Sequence, residues 1–287
     1  MLRPAYLQNG DKVALVSPAG FIHPQHLRNA CKILQAWGLE PVMGKHAAAQ
    51  FDTFAGTDDE RQEDFQWALD DREIKAIFCT TGGYGGLRII ENLDYSIFQG
   101  TPKWLIGSRE ITAFHSQLNL LGVESIYAPM PSDYPILPPQ ALENLRRLLF
   151  GENLEYYIEN NPLSRPGIVQ AEISGGCINM TRRLHATTLQ HNFKGNILFL
   201  DLTTATLEME SLLRCMKFSK IFQNIQGLVI TDTLPQLSGE AVKLINDISA
   251  DYNYPVCVGW SVSNYPLILG AKIILTINET KTKIYYV

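Results

Sequence analysis

The feature that most limits the fold of this chain is an alternation of short apolar runs with helix-patterned stretches through its first half. Lys12–Val16, Glu40–Met43, Ala76–Thr80, Trp104–Ile106 and Ser125–Tyr127 read as strands. Between them lie stretches with helical spacing. Pro24–Trp37 carries Leu27, Ala30, Ile33, Leu34 and Trp37 on one side, and Gly38 closes it. Thr57–Asp71 opens on Asp58, Asp59 and Glu60, acids that suit the positive end of a helix dipole. Strands joined through helices by short loops can pair only in parallel, because a parallel neighbour has to be reached by a crossover. The expected fold class is therefore α/β, with a Rossmann-like parallel sheet in the N-terminal half.

After a helix at Pro139–Phe150 the pattern changes. Asn-Asn-Pro and Arg-Pro-Gly interrupt the region that follows, and helical periodicity is lost. This divides the chain into an N-terminal domain at 1–155, a linker at 156–170 and a smaller, β-rich α/β domain at 171–287. The second half is expected to run as strand Ile168–Ile173, a small-residue turn, a helix to about Thr187, strand Asn196–Asp201 and helix Glu208–Phe218. Strand Gly227–Thr231, helix Gly239–Ala250, strand Val256–Trp260 and a terminal hairpin, Lys272–Ile277 with Lys283–Val287, complete it.

Composition removes several function classes. The net charge is −5 with no compensating Lys/Arg block, which argues against nucleic acid as a partner. No run reaches membrane-spanning length and the first residues lack a hydrophobic signal segment, so a soluble, cytoplasmic protein is expected. The five cysteines have no paired spacing and read as buried thiols. The six histidines show no metal-ligand spacing, so neither a metal nor a cofactor is expected.

Two places carry the candidate chemistry. Gly82-Gly83-Tyr84-Gly85-Gly86 sits where a strand hands over to a helix. Its consecutive N–H groups suit an anion or oxyanion nest, or it is a tight turn needing positive φ. It matches neither a Walker A loop nor a convincing dinucleotide fingerprint, so a nucleotide-binding module rests on this turn alone. Lys103–His115 is an apolar strand, a Gly-containing turn and an amphipathic helix, the elbow that holds a nucleophile at a helix N-terminus in several hydrolase folds. Its tip carries Ser108, Arg109 and Glu110. His115 lies farther along the helix among Ile111, Phe114 and Leu118, as a packed, hydrogen-bonded residue would. Asp201 and Asp232 each end an apolar strand, where an acid either caps the next turn or faces a cleft.

Taken in order, these motifs resemble the LD-carboxypeptidase family of serine peptidases, which includes the microcin-immunity peptidases, over nearly the whole chain. The opening Asn-Gly-Asp-Lys-Val-Ala-Leu-Val-Ser-Pro-Ala-Gly is similar to the family's first strand and loop. Gly82–Gly85 resembles its Arg-Gly-Gly-Tyr-Gly segment, with Thr81 in place of the Arg. Trp104–His115 resembles its Ile-Gly-Tyr-Ser-Asp-Ile-Thr-Ala-Leu-His elbow. Ser174–Cys177, Ile197–Asp201 and Leu269–Lys272 resemble its Gly-Gly-Asn-Leu turn, its Leu-Phe-Leu-Glu-Asp strand and its terminal hairpin. The resemblance implies an active site between two domains, a Ser-His-Glu triad, hydrolysis at a D-amino acid in peptidoglycan recycling, and a homodimer.

The departures fall on the triad. Gap-free matching puts Arg109 at the nucleophile, Ser108 at the preceding Tyr and Glu110 at the following Asp. Asp201 takes the Glu position. The segment expected to carry Gly-His-Gly reads Gly259–Tyr265 without a histidine, and Asn264 is its best match for the base. A guanidinium stays protonated and cannot attack a carbonyl, and an amide cannot accept the proton. Losing nucleophile and base together removes the mechanism, because triad members act as a unit. The expectation is a catalytically lost member with a cleft for murein-peptide-like or other carboxylate ligands. Arg109 would either clamp the ligand carboxylate or pair internally with Asp201 or Glu110. The alternative is an active serine carboxypeptidase using Ser108 and a substitute base.

Overall fold

The computed structural model describes residues 1–152, 155–202, 206–231, 244–245 and 247–287, with the side chains of 206 and 207 left out. Asp232 and part of the helix expected at Gly239–Ala250 lie outside the described residues. The first sheet holds β1 (Lys12–Val16), β2 (Glu40–Met43), β3 (Ile74–Cys79), β4 (Trp104–Gly107) and β5 (Ser125–Tyr127). Their helices are α1 (Pro24–Ala36), α2 (Asp58–Asp70), the short α3 (Gly86–Ile89) and α4 (Ser96–Gly100), α5 (Thr112–Leu120) and α6 (Pro139–Leu149). The second sheet is built from β6 (Glu155–Glu159), β7 (Gly167–Cys177), β8 (Ile197–Asp201), β9 (Gly227–Thr231) and β10 (Val256–Trp260). Helices α7 (Ile178–Leu184) and α8 (Thr206–Phe218) accompany it. The chain ends with β11 (Leu267–Leu269), β12 (Lys272–Ile277) and β13 (Lys281–Tyr286).

The protein is an α/β molecule with the expected Rossmann-like first half. The first sheet has the order β2-β1-β3-β4-β5, all parallel, with β11 added antiparallel to β5. That order reverses between β1 and β3, and open sheets of this kind bind ligands beyond the carboxyl ends of their strands near such a reversal. The second sheet runs β10-β9-β8-β7-β12-β13-β6, parallel as far as β7 and antiparallel beyond it.

Three sequence expectations change. The segment 156–170 is no free linker: it holds most of β6, paired with β13, and the start of β7. Its Pro and Gly residues mark only the turn between two strands. The small-residue turn at Ser174–Cys177 continues β7 instead. A Cβ at Gly175 would stand 1.9 Å from the Phe199 carbonyl oxygen, so glycine lets β7 lie tight against β8. Finally, Leu269, read with Lys272 as part of the terminal hairpin, belongs instead to β11, which pairs with β5 in the first sheet. One continuous core follows from that pairing. It runs from Val13, Phe78 and Ile106 through Tyr127 to Phe199, Trp260 and Leu275. Burial of this apolar surface holds the two halves as one body.

Candidate functional site

The carboxyl ends of the parallel strands in the two sheets face each other across a cleft of about 370 Å³. Ser108 and Arg109 follow β4, Pro129 follows β5, Asp201 ends β8, and Ser261–Ser263 follow β10. The turn carrying Asp133, Ile136 and Leu137 closes one side.

The elbow is built as the sequence suggests. A Cβ on Gly107 would meet the Ile111 side chain at 2.9 Å, so glycine allows the helix to fold back onto the strand. Arg109 sits at the apex with φ +53, a left-handed conformation that costs a non-glycine residue about 1 kcal/mol or more. Its neighbour Ser108 is extended, at φ −144. The positive φ therefore falls on Arg109 and not on Ser108. The Arg109 N–H donates to the Tyr127 hydroxyl at 3.0 Å, and that hydroxyl donates to Asp201 Oδ2 at 2.7 Å. Thr231 Oγ1 donates to Asp201 Oδ1 at 3.0 Å. Burial pushes the Asp201 carboxyl above the usual range, while these two hydroxyls and the nearby Arg109 charge oppose the rise. Asp201 thus ties the strand ends of the two sheets together.

The Arg109 guanidinium pairs with neither Asp201 nor Glu110. Its Nη2 donates to Asp133, at 3.0 Å to Oδ1 and 3.2 Å to Oδ2. Met130 N–H fixes Asp133 Oδ2 at 2.9 Å. Sequence reading missed Asp133, whose only local signal is a Pro-Ser-Asp-Tyr-Pro turn.

Glu110 turns away from the cleft. Its carboxylate lies against Gly86, where a Cβ would stand 3.6 Å from Oε1, and burial raises its pKa against the charge of Arg183 and the nearby backbone N–H groups. None of Gly82, Gly83, Tyr84 and Gly85 lines the cleft. Gly82 backs onto Arg109, where a Cβ would stand 3.3 Å from both Cβ and Nε of the arginine. Gly83 and Gly85 have φ +107 and +114, so the tight-turn requirement is real. Tyr84 points outward, 67% exposed.

Asn264 is not brought to the cleft either. Its N–H closes a turn onto the Ser261 carbonyl, and its own carbonyl accepts from Asn144 on α6. The loop presents Ser261, Val262 and Ser263 to the cleft in its place. His115 is structural, as its setting suggests: one ring nitrogen donates to the Gly107 carbonyl at 3.0 Å and the other accepts from Ser125 Oγ at 2.8 Å. Burial holds its pKa down at about 4.

Comparison with known proteins agrees with this architecture. The LD-carboxypeptidase N-terminal domain matches residues 13–128, and the LD-carboxypeptidase C-terminal domain matches residues 170–275. The chain belongs to the LD-carboxypeptidase family. A Streptomyces coelicolor protein named as a carboxypeptidase is 33% identical over 185 residues, 62% of this chain and 60% of that protein. A Bacillus subtilis protein named as a murein peptide carboxypeptidase is 28% identical over 237 residues, 80% of this chain and 74% of that one. In fold, the chain superposes on an MccF-like protein of Bacillus anthracis with a TM-score of 0.89 at 19% identity, covering 100% of both chains. Muramoyltetrapeptide carboxypeptidase of Oxalobacter formigenes gives 0.86 at 19% identity, covering 96% of this chain and 98% of that one. Among the described residues, no helix is long and apolar enough to cross a membrane.

Proposed function

We propose that this family member has lost peptide hydrolysis and uses its cleft to bind a murein-peptide-like ligand through the ligand's carboxylate. One observation carries the reading: the strained apex of the elbow is occupied by a guanidinium. The apex is where an attacking oxygen would be raised above the helix N-terminus, and Arg109 can only donate hydrogen bonds there. Asp201 would anchor the elbow through Tyr127 rather than orient a base, since both its oxygens are committed to hydroxyls. Two relatives are in keeping with a carboxylate-bearing ligand. A Pseudomonas aeruginosa relative is named murein tetrapeptide carboxypeptidase, and an MccF neighbour was solved with aspartyl sulfamoyl adenosine. The family's homodimeric, cytoplasmic setting in peptidoglycan recycling belongs to the same proposal. Sedimentation of the purified protein tests the dimer.

Calorimetric titration with an L,D-linked murein tetrapeptide tests the binding. The wild-type chain is expected to bind, and Arg109→Ala to weaken binding by at least tenfold. Equal affinity in the two proteins would remove the clamp. The second reading, hydrolysis by Ser108, draws on the presence of that side chain in the cleft lining. Against it, the sequence has no histidine after His191. A fluorophosphonate probe that labels Ser108 would favour it, and failure to label would count against it.

A further inference from the structure

Both edges of a guanidinium that can grip a carboxylate with two parallel bonds run through Nη2, one shared with Nε and the other with Nη1. In Arg109, Nη2 holds both oxygens of Asp133. Among the described residues, Nε and Nη1 make no hydrogen bond, and Gly82 backs onto the Nε side. With Gly82 against the Nε side, the Nη1–Nη2 edge is the one left to a ligand, and there Asp133 already crowds Nη2. The charges point the same way: among the described residues, the cleft is lined by one cation, Arg109, and two acids, Asp133 and Asp201. An added anion is therefore resisted for as long as Asp133 stays paired. Asp133 is also placed to let go. Its side chain is 22% exposed, and the Met130 N–H would still hold Oδ2 after the guanidinium left.

We propose that Asp133 is an internal competitor: it occupies the seat on Arg109 that a ligand carboxylate takes, so binding exchanges one carboxylate for another. The inference rests on the carboxylate-binding reading above and adds the residue that sets its selectivity. A ligand carboxylate displaces Asp133 by replacing its charge, with one oxygen on Nη2 and the other on Nη1. A neutral amide at the same position cannot.

Asp133→Asn tests this, because the amide oxygen keeps the Met130 contact while the charge is lost. The first readout needs no ligand. Phenylglyoxal modification of Arg109, followed by peptide mass spectrometry, is expected to run at least fivefold faster in Asp133→Asn. Arg88, which pairs with Asp58 outside the cleft, serves as the internal reference. The second readout is affinity for N-acetyl-D-alanine, with N-acetyl-D-alaninamide as the uncharged control. Asp133→Asn is expected to bind the acid at least fivefold more tightly and to leave the amide unchanged. An unchanged or slower modification rate, or weaker binding of the acid, would overturn the competitor role and leave the binding reading standing. Faster modification with no binding of the acid or the murein tetrapeptide by either protein would keep the internal pairing and overturn the binding reading.

Discussion

The back and the front of the elbow are built from the same dozen residues and differ in kind. At the back, His115 joins the Gly107 carbonyl to Ser125, and Glu110 packs against Gly86 at the end of the Gly-rich loop, all in buried surroundings. These groups have fixed partners and match what a hydrolase elbow needs. At the front, Arg109 holds the strained apex, 38% exposed at its side chain, and its counter-ion comes from a distant turn. The difference shows that elbow geometry is supported from behind and does not depend on the side chain at its tip. Buried hydrogen bonds constrain the back because each unpaired group there is costly. The half-open front can change residue type at little cost to the fold.

The sharpest way to break that comparison is to damage the back. His115→Ala is expected to cost about 4 kcal/mol, from a cavity plus loss of the partners of Ser125 and Gly107. Urea unfolding measures it, and a cost below about 1 kcal/mol would mean that the back does not hold the elbow.

Acid probes the same residue without a mutation. The folded pKa of His115 lies near 4, below the ordinary 6.5, so between these values the unfolded chain binds the extra proton. Stability is therefore expected to fall as pH drops from 6.5 towards 4, with an upper limit of about 3 kcal/mol from this residue. Asp201 and Glu110, whose folded pKa values are raised, act in the opposite sense at the acid end of the window. The urea midpoint followed from pH 7 to pH 4 checks the slope. A midpoint rising with acidity would contradict it.

The smallest effect belongs to the front. Arg109→Gly and Arg109→Ala both lose the Asp133 pair, and they differ in the cost of a positive φ. The glycine variant should be the more stable by about 1 kcal/mol. Equal stabilities would mean that the apex is not strained.

Much of this was legible in the sequence, for identifiable reasons. The parallel alternation, the elbow and the strand-end position of Asp201 follow from local patterns that tertiary contacts did not override. Other features depended on contacts far along the chain. The β6 pairing was hidden because Glu155–Glu159 is short and lies beside turn residues, and its partner, β13, is near the C-terminus. The crossing of Leu267–Leu269 was masked by its closeness to the hairpin. Asp133 meets Arg109 from 24 positions away, and no spacing rule joins them. Asn264 was assigned by register in a segment that lacks the expected histidine, and the turn onto Ser261 keeps it from the cleft.

The most direct measurement is release of D-alanine from an L,D-linked murein tetrapeptide by the purified chain. A cationic apex, and a cleft with no histidine among its described lining residues, predict release no faster than in the enzyme-free control. Sustained turnover that disappears in Ser108→Ala would contradict the account at its centre.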